Sequence, residues 1–513
     1  MCVYHKSLAI FLASSALAGC TVGPDYHRPE MAAPPAFLGS AAVSARAVPA
    51  AVSDADQRVW WARFNDPLLT QLVDEALAQN LDIAQAIARV SQARASLGSA
   101  NAAMLPSASL SASAATAHQS IETPTGRIAQ SAPGFQRDGN LYDANLGAAW
   151  EIDLFGGLRR GQEAMRADYQ ASQASVAAAR LSVAAQVADI YIAIRGLQAR
   201  LAVAEQQADT QARLVEIVRL QFGKGIAAEL QLRQAEGALA QVQASVPVLR
   251  NARDTAMNAL DIVLGTQPGA HRAMLLHITA IPTAPAIVDT GTPADMLRRR
   301  PDLIVAERKL AASNARIGVA VSEYFPKFSL SGLIGSATTV GSNMFTGGAN
   351  QAQGVLGLRW RLFDFGRVDA DIAAAKGVNA ESLATYRLAV LRASEDVENA
   401  FSALVQREAQ EQILSRGETA LVRAQAASLA AYKGGVVSLI EVLDADRRLL
   451  DVRDARVQAQ ADVARAAVAS YRSLGGGWQG PAPLAFNGTN RAGMGALRSP
   501  EDERDQAEPS GGR

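Results

Sequence analysis

The chain has 513 residues, 49 acidic and 49 basic side chains, and only 5% aromatic residues. A neutral chain lacks the basic face that nucleic-acid binding normally needs, so the composition argues against a nucleic-acid partner. Ala, Leu, Arg, Val and Gln are abundant, which is typical of long helices and helical bundles. The length alone would allow two or three domains.

The N-terminus is predicted to be a signal peptide covering residues 1–19. Lys6 precedes an apolar run, Ser7–Ala18, that is too short to cross a bilayer as a helix. The run ends in Leu-Ala-Gly-Cys, which resembles the bacterial lipobox, and this resemblance implies lipid attachment at Cys20. An ordinary signal peptide followed by an incidental Cys is the alternative. Thr21 stands where an Asp would indicate retention in the inner membrane, so the resemblance implies the outer membrane.

The chain contains an internal duplication. The stretch WEIDLFGG starts at Trp150, and WRLFDFGR starts at Trp360. The numbers of residues between matching positions are the same in the two copies. The interval from Asp82 to Pro106 equals that from Asp302 to Pro326, and the interval from Gly156 to Gly225 equals that from Gly366 to Gly435. One loop differs in length, between the proline and the tryptophan of each copy. An internal repeat of this kind determines the architecture and is interpreted first.

Each copy is predicted to contain a helix, two strands joined by a loop, a very long helix, a tight turn and a second long helix. Asp66 followed by Pro67 marks one helix start, as a cap residue before a proline. The first copy covers 67–270, with strands at 106–117 and 141–155 and helices at 157–222 and 226–264. The second covers 293–478, with strands at 326–336 and 354–365 and helices at 367–432 and 436–474. A lipid-anchored segment (20–66), a linker (271–292) and a C-terminal segment with a disordered tail (479–513) complete the chain.

The helix from residue 157 to 222 contains no proline and would be about 100 Å long. Its apolar residues recur in steps of three and four, which is the period of a coiled coil. They are Val176, Val183, Val187, Ile190, Ile194, Leu197 and Leu201. No run after the signal reaches the roughly 18 consecutive apolar residues of a membrane helix, so any membrane-spanning part must consist of strands.

The strands alternate between apolar and polar residues. This period-two pattern is typical of a transmembrane strand with lipid on one side and water on the other, although a half-exposed soluble sheet gives it too. Tyr142, Trp150 and Trp360 fall on the apolar side and are predicted to face lipid. Four strands leave two open edges, which lipid does not tolerate. A dimer would give a filled eight-stranded barrel, so a conduit needs at least three chains and twelve strands.

These features resemble the outer membrane factor family of the TolC and OprM type, in its lipoprotein branch serving resistance-nodulation-division (RND) pumps. The motifs that carry the resemblance are GCTVGPDYHRP, WWARFNDPLL, LRRRPDL, FDFGR and YKGGVVSLIEVLDADR. The family implies a mainly helical fold with a β-barrel part, a homotrimer in outer-membrane lipid, and no catalytic activity or cofactor. It also implies two partners, a periplasmic adaptor (membrane fusion protein) and an inner-membrane RND pump.

The resemblance also assigns roles at the helical tips. Glu441 and Asp444 match acidic residues that form the narrowest ring of the lumen, whereas from the residues alone they would be a solvated face. In TolC an Arg and an Asp latch the tip, but the matching positions here are Val437 and Gln231. We therefore predict closure by apolar packing of Val436, Val437 and Leu443, with Tyr432 nearby. The residues matching the adaptor-docking tips are Lys224, Gly225, Ile226, Gly434, Gly435 and Val436.

Other functions are less well supported by the residues. The sequence shows no phosphate-binding loop, nucleophile elbow or metal-ligand cluster, and its five histidines are scattered. A type I protein-secretion duct on the same fold and a periplasmic adaptor lipoprotein are the alternatives. The sequence predicts a passive outer-membrane efflux conduit whose cargo is selected elsewhere.

Overall fold

The computed structural model describes residues 21–31, 34–46, 59–287 and 291–476. The predicted signal peptide, Cys20 and the C-terminal tail lie outside the described residues. Of the linker predicted at 271–292, the structure describes a short helix, Arg272–Leu275, followed by chain without regular structure.

Seven longer helices and four strands build the described part of the chain. The helices are α1 (Pro67–Gln79), α2 (Leu81–Ala102), α3 (Gly157–Gly223), α4 (Glu229–Val263), α5 (Pro301–Ser322), α6 (Arg367–Lys433) and α7 (Leu439–Ser473). The strands are β1 (Ser107–His118), β2 (Asp138–Ile152), β3 (Lys327–Thr338) and β4 (Asn350–Arg359). Short α-helices lie at Ser40–Ser44, Pro124–Gln130 and Pro293–Arg299, and short 3-10 helices at Trp60–Phe64, Gly341–Asn343 and Gly347–Ala349.

Both copies of the repeat have the predicted element order. The strands form one antiparallel sheet in the order β1-β2-β3-β4. Helices α3 and α6 are each 67 residues long, and α4 and α7 are each 35 residues long. At 1.5 Å per residue, α3 and α6 are about 100 Å long, far longer than a compact domain allows. The mainly helical fold with a small sheet is therefore confirmed.

Helix α3 is the centre of the bundle and packs against α1, α2, α4, α5 and α7. It contains an 18-residue window with a mean hydropathy of 1.4, apolar enough to cross a membrane by composition. More than half of that window, 56%, is buried by the rest of the chain. Val183, Val187, Ile194 and Leu201 of the predicted seam are among its buried residues. We therefore attribute the apolarity of α3 to helix packing.

The second and fourth strands end earlier than predicted. Residues 153–155 and 360–365 were assigned to strands, but the structure uses them to start the long helices. The carboxylate of Asp153 accepts from the backbone N–H groups of Leu158 and Arg159 at 3.1 and 2.9 Å. Asp364 accepts from Gly366 and Val368 at 3.1 and 3.0 Å. These bonds satisfy N–H groups at a helix start, and they bend the chain out of the sheet.

The helices after the two tight turns begin three residues later than predicted, at Glu229 and Leu439. The preceding residues close the turn instead. The N–H of Ile226 donates to Gln221 O, and the N–H of Val436 donates to Ala431 O, both at 2.9 Å. These are the bonds of a Schellman motif, which ends a helix and leaves a few residues outside the next one.

The main hydrophobic core lies about midway along the long helices, where α1 and the N-terminal segment cover them. Trp60 stacks on Tyr471 with ring centroids 5.6 Å apart. Asp66 caps α1 as predicted, because its carboxylate accepts from Leu69 N at 3.0 Å, and it also accepts from the Tyr191 hydroxyl at 2.7 Å. The thickened middle of the bundle is thereby fixed to α3.

Candidate functional site: the sheet and the helical tips

The sheet has one apolar and one polar face, because the strand register keeps residues of like character together. Trp150 lies opposite Leu330, which in turn lies opposite Leu356. Several large apolar side chains of this face are exposed in the single chain. They are Leu110, Leu146, Trp150, Leu330, Ile334, Leu356 and Leu358. An extended apolar face of this kind needs an apolar environment or a partner.

The polar face is concave. Gln351 on β4 donates to Asn145 on β2 at 2.6 Å, across the intervening strand β3. Gly335 of β3 makes this possible, because a Cβ there would lie 2.2 Å from the Asn145 side-chain oxygen. Further along the same face, Ser109, Ser331 and Gln353 help to line a groove of about 330 Å³. Curvature toward the polar side is expected for a barrel wall with water inside.

The predicted lipid-facing aromatic residues lie at opposite ends of the apolar face. Trp150 and Trp360 are at the end of the sheet next to the helices, and Tyr142 is at the other end, beside Gly341. The indole Nε1 of Trp150 donates to Met104 O at 2.9 Å, and that of Trp360 donates to Tyr324 O at 3.0 Å. Aromatic residues in two bands are typical of the two interfaces of a membrane β-barrel.

Both edges of the sheet are open. Strand β1 is exposed along its whole length, and nearly all of β4 is exposed. Each edge presents backbone N–H and C=O groups that no residue of the described chain pairs with. Unpaired edge groups are a template for strand addition, and in lipid they must be satisfied.

At the far end of the bundle, each of the two predicted tight turns has a glycine in the left-handed conformation. Gly225 has φ +73° and Gly435 has φ +74°, and no other heavy atom lies near the space of a Cβ at either one. Lys224, Ile226, Gly434 and Val436 are exposed beside them. Ile226 is 73% exposed and Val436 is 79% exposed, so both tips present a bare apolar side chain.

Beneath the tips, an apolar cluster joins the two hairpins of one chain. Its buried members are Leu214, Val215, Val218, Ala227, Leu232, Ala235, Leu439 and Val442. Of the four residues predicted to close the tip, Tyr432 and Leu443 pack against this cluster, Val437 is half-buried and Val436 is exposed. The Tyr432 hydroxyl donates to the Gln221 side-chain oxygen at 2.8 Å, and burial raises the pKa of Tyr432. The four residues predicted to close the tip therefore do not form one packed group within a single chain.

The two acidic residues assigned to the gate differ in their surroundings. Glu441 is exposed in the first turn of α7. Asp444 lies 2.9 Å from Arg447 and 2.7 Å from Arg448 on the same helix. These guanidinium groups offset much of the negative charge that Asp444 would contribute to a ring. At position 231, Gln231 accepts from the backbone N–H of Ala228 at 3.0 Å, so it caps α4.

The sequence interpretation missed Asp446, the buried carboxylate of this region. A signal for it exists: Leu439, Val442, Asp446 and Leu449 follow steps of three and four, and all four are buried. An acidic residue in an apolar series of this kind points inward and is the unusual member.

The N-terminal segment is fixed in a groove between α3 and α5, next to the sheet. The N–H of Val22 donates to Phe155 O at 3.1 Å, just after β2. Arg160 binds Val22 O at 3.1 Å and the Asp25 carboxylate at 2.7 Å, and this guanidinium holds the pKa of Asp25 below its usual range. Tyr26 donates to Glu307 at 2.6 Å. No local pattern in the sequence predicts these contacts, because they join residues more than 130 positions apart.

A curved sheet with an apolar outer face, two open edges and helices about 100 Å long defines a channel protein that spans a membrane with strands. A sequence model of the family described as "Outer membrane efflux protein" matches residues 72–266 and 292–476. These two ranges correspond to the two copies of the repeat. The chain belongs to this outer membrane efflux protein family.

Individual relatives agree with the family. The chain is 30% identical to the pyoverdine export outer membrane protein OpmQ of Pseudomonas putida, over 94% of this chain and 98% of that protein. It is 31% identical to nodulation protein T of Rhizobium leguminosarum bv. trifolii, over 84% of this chain and 89% of the relative. The solved outer-membrane channel OprN is 33% identical, with a TM-score of 0.81, covering 90% of this chain and all of that one. The prediction of an outer-membrane efflux channel is confirmed.

Proposed function

We propose that three copies of this chain close a twelve-stranded barrel in the outer membrane and form a continuous efflux conduit with their helices. The observation that carries this proposal is the sheet with an apolar outer face, a concave polar face and two open edges. One chain leaves both edges unpaired, and two chains would give a barrel filled by side chains. Three chains provide a lumen and leave no edge in lipid.

The internal repeat specifies how neighbouring chains would meet. Strand β4 corresponds to β2, and β1 corresponds to β3, so the β2–β3 register within the chain serves as a template for β4 and the next chain's β1. Within the chain, Trp150 lies opposite Leu330 and Ala148 lies opposite Gly332. By the same register, Trp360 would lie opposite the partner's Leu110, and Leu358 would lie opposite the partner's Ala112.

A stacked pair beside the sheet supports the same template. Phe155 and Phe325 stack with ring centroids 4.6 Å apart where β2 meets β3. Their equivalents in the other copies, Phe365 and Leu105, are 103% and 65% exposed in the single chain. Phe365 of one subunit and Leu105 of the next would bury each other if they met between subunits, as Phe155 and Phe325 do within the chain.

Lipid attached at Cys20 would anchor the chain beside the barrel. Val22 is bonded to Phe155 just after β2, and a lipid attached two positions before it would lie near the level where the strands leave the membrane. The Trp150 and Trp360 band lies at the same end of the sheet. The anchor and the aromatic band would therefore share the inner leaflet.

The exposed tips suit an adaptor partner. Ile226 and Val436 are bare apolar side chains on turns whose glycines leave room for close approach. We assign Lys224 to Ile226 and Gly434 to Val436 as the docking surface for a periplasmic adaptor, which would join the channel to an inner-membrane RND pump. Relatives carry names such as pyoverdine export protein and cation efflux system protein. This variety suits a conduit whose pump selects the cargo.

Planar-bilayer recording tests the proposal. Full-length, lipid-modified protein purified from outer membranes should run as a detergent-resistant trimer and give discrete conductance steps. A strain lacking this protein should become sensitive to the compounds exported by its partner pump. Expression of the full-length chain should restore resistance. Monomeric, non-conducting material from the inner membrane would contradict the proposal and would favour an adaptor.

A further inference from the structure

Three polar contacts at regular spacing connect α3 to α7, and hence the first hairpin of a chain to the second. Asp189 binds Arg465 at 2.7 and 3.0 Å, and Arg200 binds Asp454 at 2.7 and 2.9 Å. The third contact, nearest the tips, is Gln211 to Asp446 at 3.4 Å. Residues 189, 200 and 211 are 11 residues apart, about three helical turns, so they lie on one face of α3.

The contact nearest the tips differs from the other two in charge and burial. Asp189 and Asp454 each face an arginine, and their side chains are 40% and 36% exposed. Asp446 is only 3% exposed and faces neutral amides, from Gln211 on α3 and Gln425 on α6. An ionised carboxylate with no cation beside it is costly to bury.

An additional proton would give this site a donor that it lacks. The Oε1 atom of Gln211 is buried and finds no hydrogen-bond partner among the residues that the structure describes. A carboxylate can only accept, whereas a carboxyl group can also donate. With the Gln211 amide turned over, so that Oε1 takes the place of Nε2 beside Asp446, protonated Asp446 could donate to Oε1 while still accepting from Gln425. The carboxyl group would then carry no buried charge.

Charged side chains of the surrounding helices do not replace that proton. On α7, Asp444 is paired with Arg447 and Arg448. On α3 and α6, Asp209, Arg213 and Arg423 are exposed, and Glu418 is bound by Arg453 and Arg456 of α7. On α4, Arg233 and Glu236 pair with each other at the surface. Burial and the Gln425 hydrogen bond are the causes that act on the pKa of Asp446.

We propose that Asp446 is a proton-controlled latch that holds α3 and α7 together beside the tips when it is protonated and loosens them when it is ionised. The site adjoins the apolar cluster around Leu439 and Val442. Loosening the junction at this point separates the two hairpins of a chain next to the turns. That this separation widens the tunnel rests on the proposed channel function.

The direction of the pH effect follows from linkage. Burial raises the pKa of Asp446 above the ordinary value of 3.8, and the Gln425 hydrogen bond opposes only part of this. A carboxyl group with a higher pKa in the packed state stabilises packing fully below its unpacked value, here 3.8. That stabilisation is lost as the pH rises through the packed-state value. The latch therefore closes as the pH falls and opens as the pH rises.

Thermal unfolding of the purified full-length protein between pH 4.5 and 8 tests the latch without relying on channel activity. The D446N variant keeps the shape and removes the ionisable group. Its Tm should be closest to that of the wild type at the acid end and exceed it by a few degrees at pH 8. The control D454N removes a carboxylate that already faces Arg200, so its Tm difference should not grow with pH.

A second variant supplies a cation for the Asp446 carboxylate instead of removing its charge. Q211R places a cation opposite Asp446, as Arg200 faces Asp454, and should also abolish the loss of Tm toward pH 8. A D446N protein that is less stable than the wild type at pH 8, or whose Tm difference does not change with pH, would overturn the latch even if Q211R failed to fold.

Bilayer conductance then separates the two proposals. Wild-type conductance should rise with pH, and D446N should keep the low conductance of the acid state at every pH. A pH-dependent Tm difference without conductance in any variant would support the latch and contradict the channel. Conductance in all variants with identical pH profiles would support the channel and contradict gating by Asp446.

Discussion

The indole of Trp150 is bound to the carbonyl oxygen of Met104 at 2.9 Å, across the joint between α2 and the sheet. The second copy repeats the contact, with Trp360 bound to Tyr324 O at 3.0 Å. Each tryptophan thus satisfies a carbonyl just beyond the C-terminus of the helix that leads into its sheet. Each copy of the duplicated Trp therefore joins a rigid helix to the sheet, in addition to its predicted place at the membrane interface.

Replacing either tryptophan with phenylalanine should loosen this joint. W150F and W360F retain a ring but leave the carbonyl unpaired, and each should cost about 1 kcal/mol of stability. The measurement is the temperature at which detergent-solubilised trimers dissociate. Y142F, at the opposite end of the sheet, is the matched control and should leave that temperature unchanged. Equal behaviour of all three variants would show that the Trp contacts do not fix the joint.

Truncating the apolar packing under the tips should open the resting channel. Leu443 packs against the cluster shared by both hairpins, and Val437 is half-buried. L443A and V437A should raise single-channel conductance, and L443A should have the larger effect because its side chain contacts the cluster. V436A removes an exposed side chain and serves as the control. Unchanged conductance in both L443A and V437A would exclude apolar closure of the tip.

The two glycines of the second turn provide a matched pair. Gly435 has φ +74°, whereas Gly434 has φ −81°. Alanine at Gly435 should therefore cost roughly 1–2 kcal/mol through left-handed strain, whereas G434A should be neutral or slightly stabilising. Protease cleavage at the tip measures the difference. The same comparison in an adaptor crosslinking assay tests docking, and a bulky insertion at Gly435 that folds and still crosslinks would argue against these tips as the docking surface.

Glycine at position 23 keeps the N-terminal segment in its groove. A Cβ there would lie 2.4 Å from the Cα of Gly318, and φ is +89°. G23A should release the segment and expose it to protease in intact trimers. G161A, whose Cβ would meet nothing within 4 Å among the described residues outside its own helix backbone, is the control and should leave the segment protected. Equal protection in both variants would mean that the groove does not hold the segment.

The large-scale plan of the fold could be predicted because it is periodic. The coiled-coil period of α3 and the two-residue period around Trp150 are each visible in a short window of sequence, and the duplication is visible as repeated intervals along the chain. The cap formed by Asp66 and Pro67 was predictable for the same reason. Strand ends were placed too late because Asp153 continues the alternating pattern, whereas in the structure Asp153 and Asp364 cap the following helices.

The contacts between distant segments could not be predicted in this way. Arg160 binds residues of the N-terminal segment, and Tyr432 binds Gln221 across the two hairpins. Each depends on how long helices are placed side by side, which no local pattern encodes. Asp446 is intermediate: its position in an apolar series was visible, but its neutral partners Gln211 and Gln425 were not.

Cysteine crosslinking between subunits tests the central claim most directly. In the L358C/A112C double variant, oxidation should convert the protein into covalent trimers in outer membranes, because in the proposed barrel these two residues would lie opposite each other between chains. The L358C/S111C variant shifts one partner to the other face of β1 and should remain uncrosslinked. Covalent trimers from the first variant alone are the predicted result; monomers from both would contradict closure of the barrel by β4 and the partner's β1.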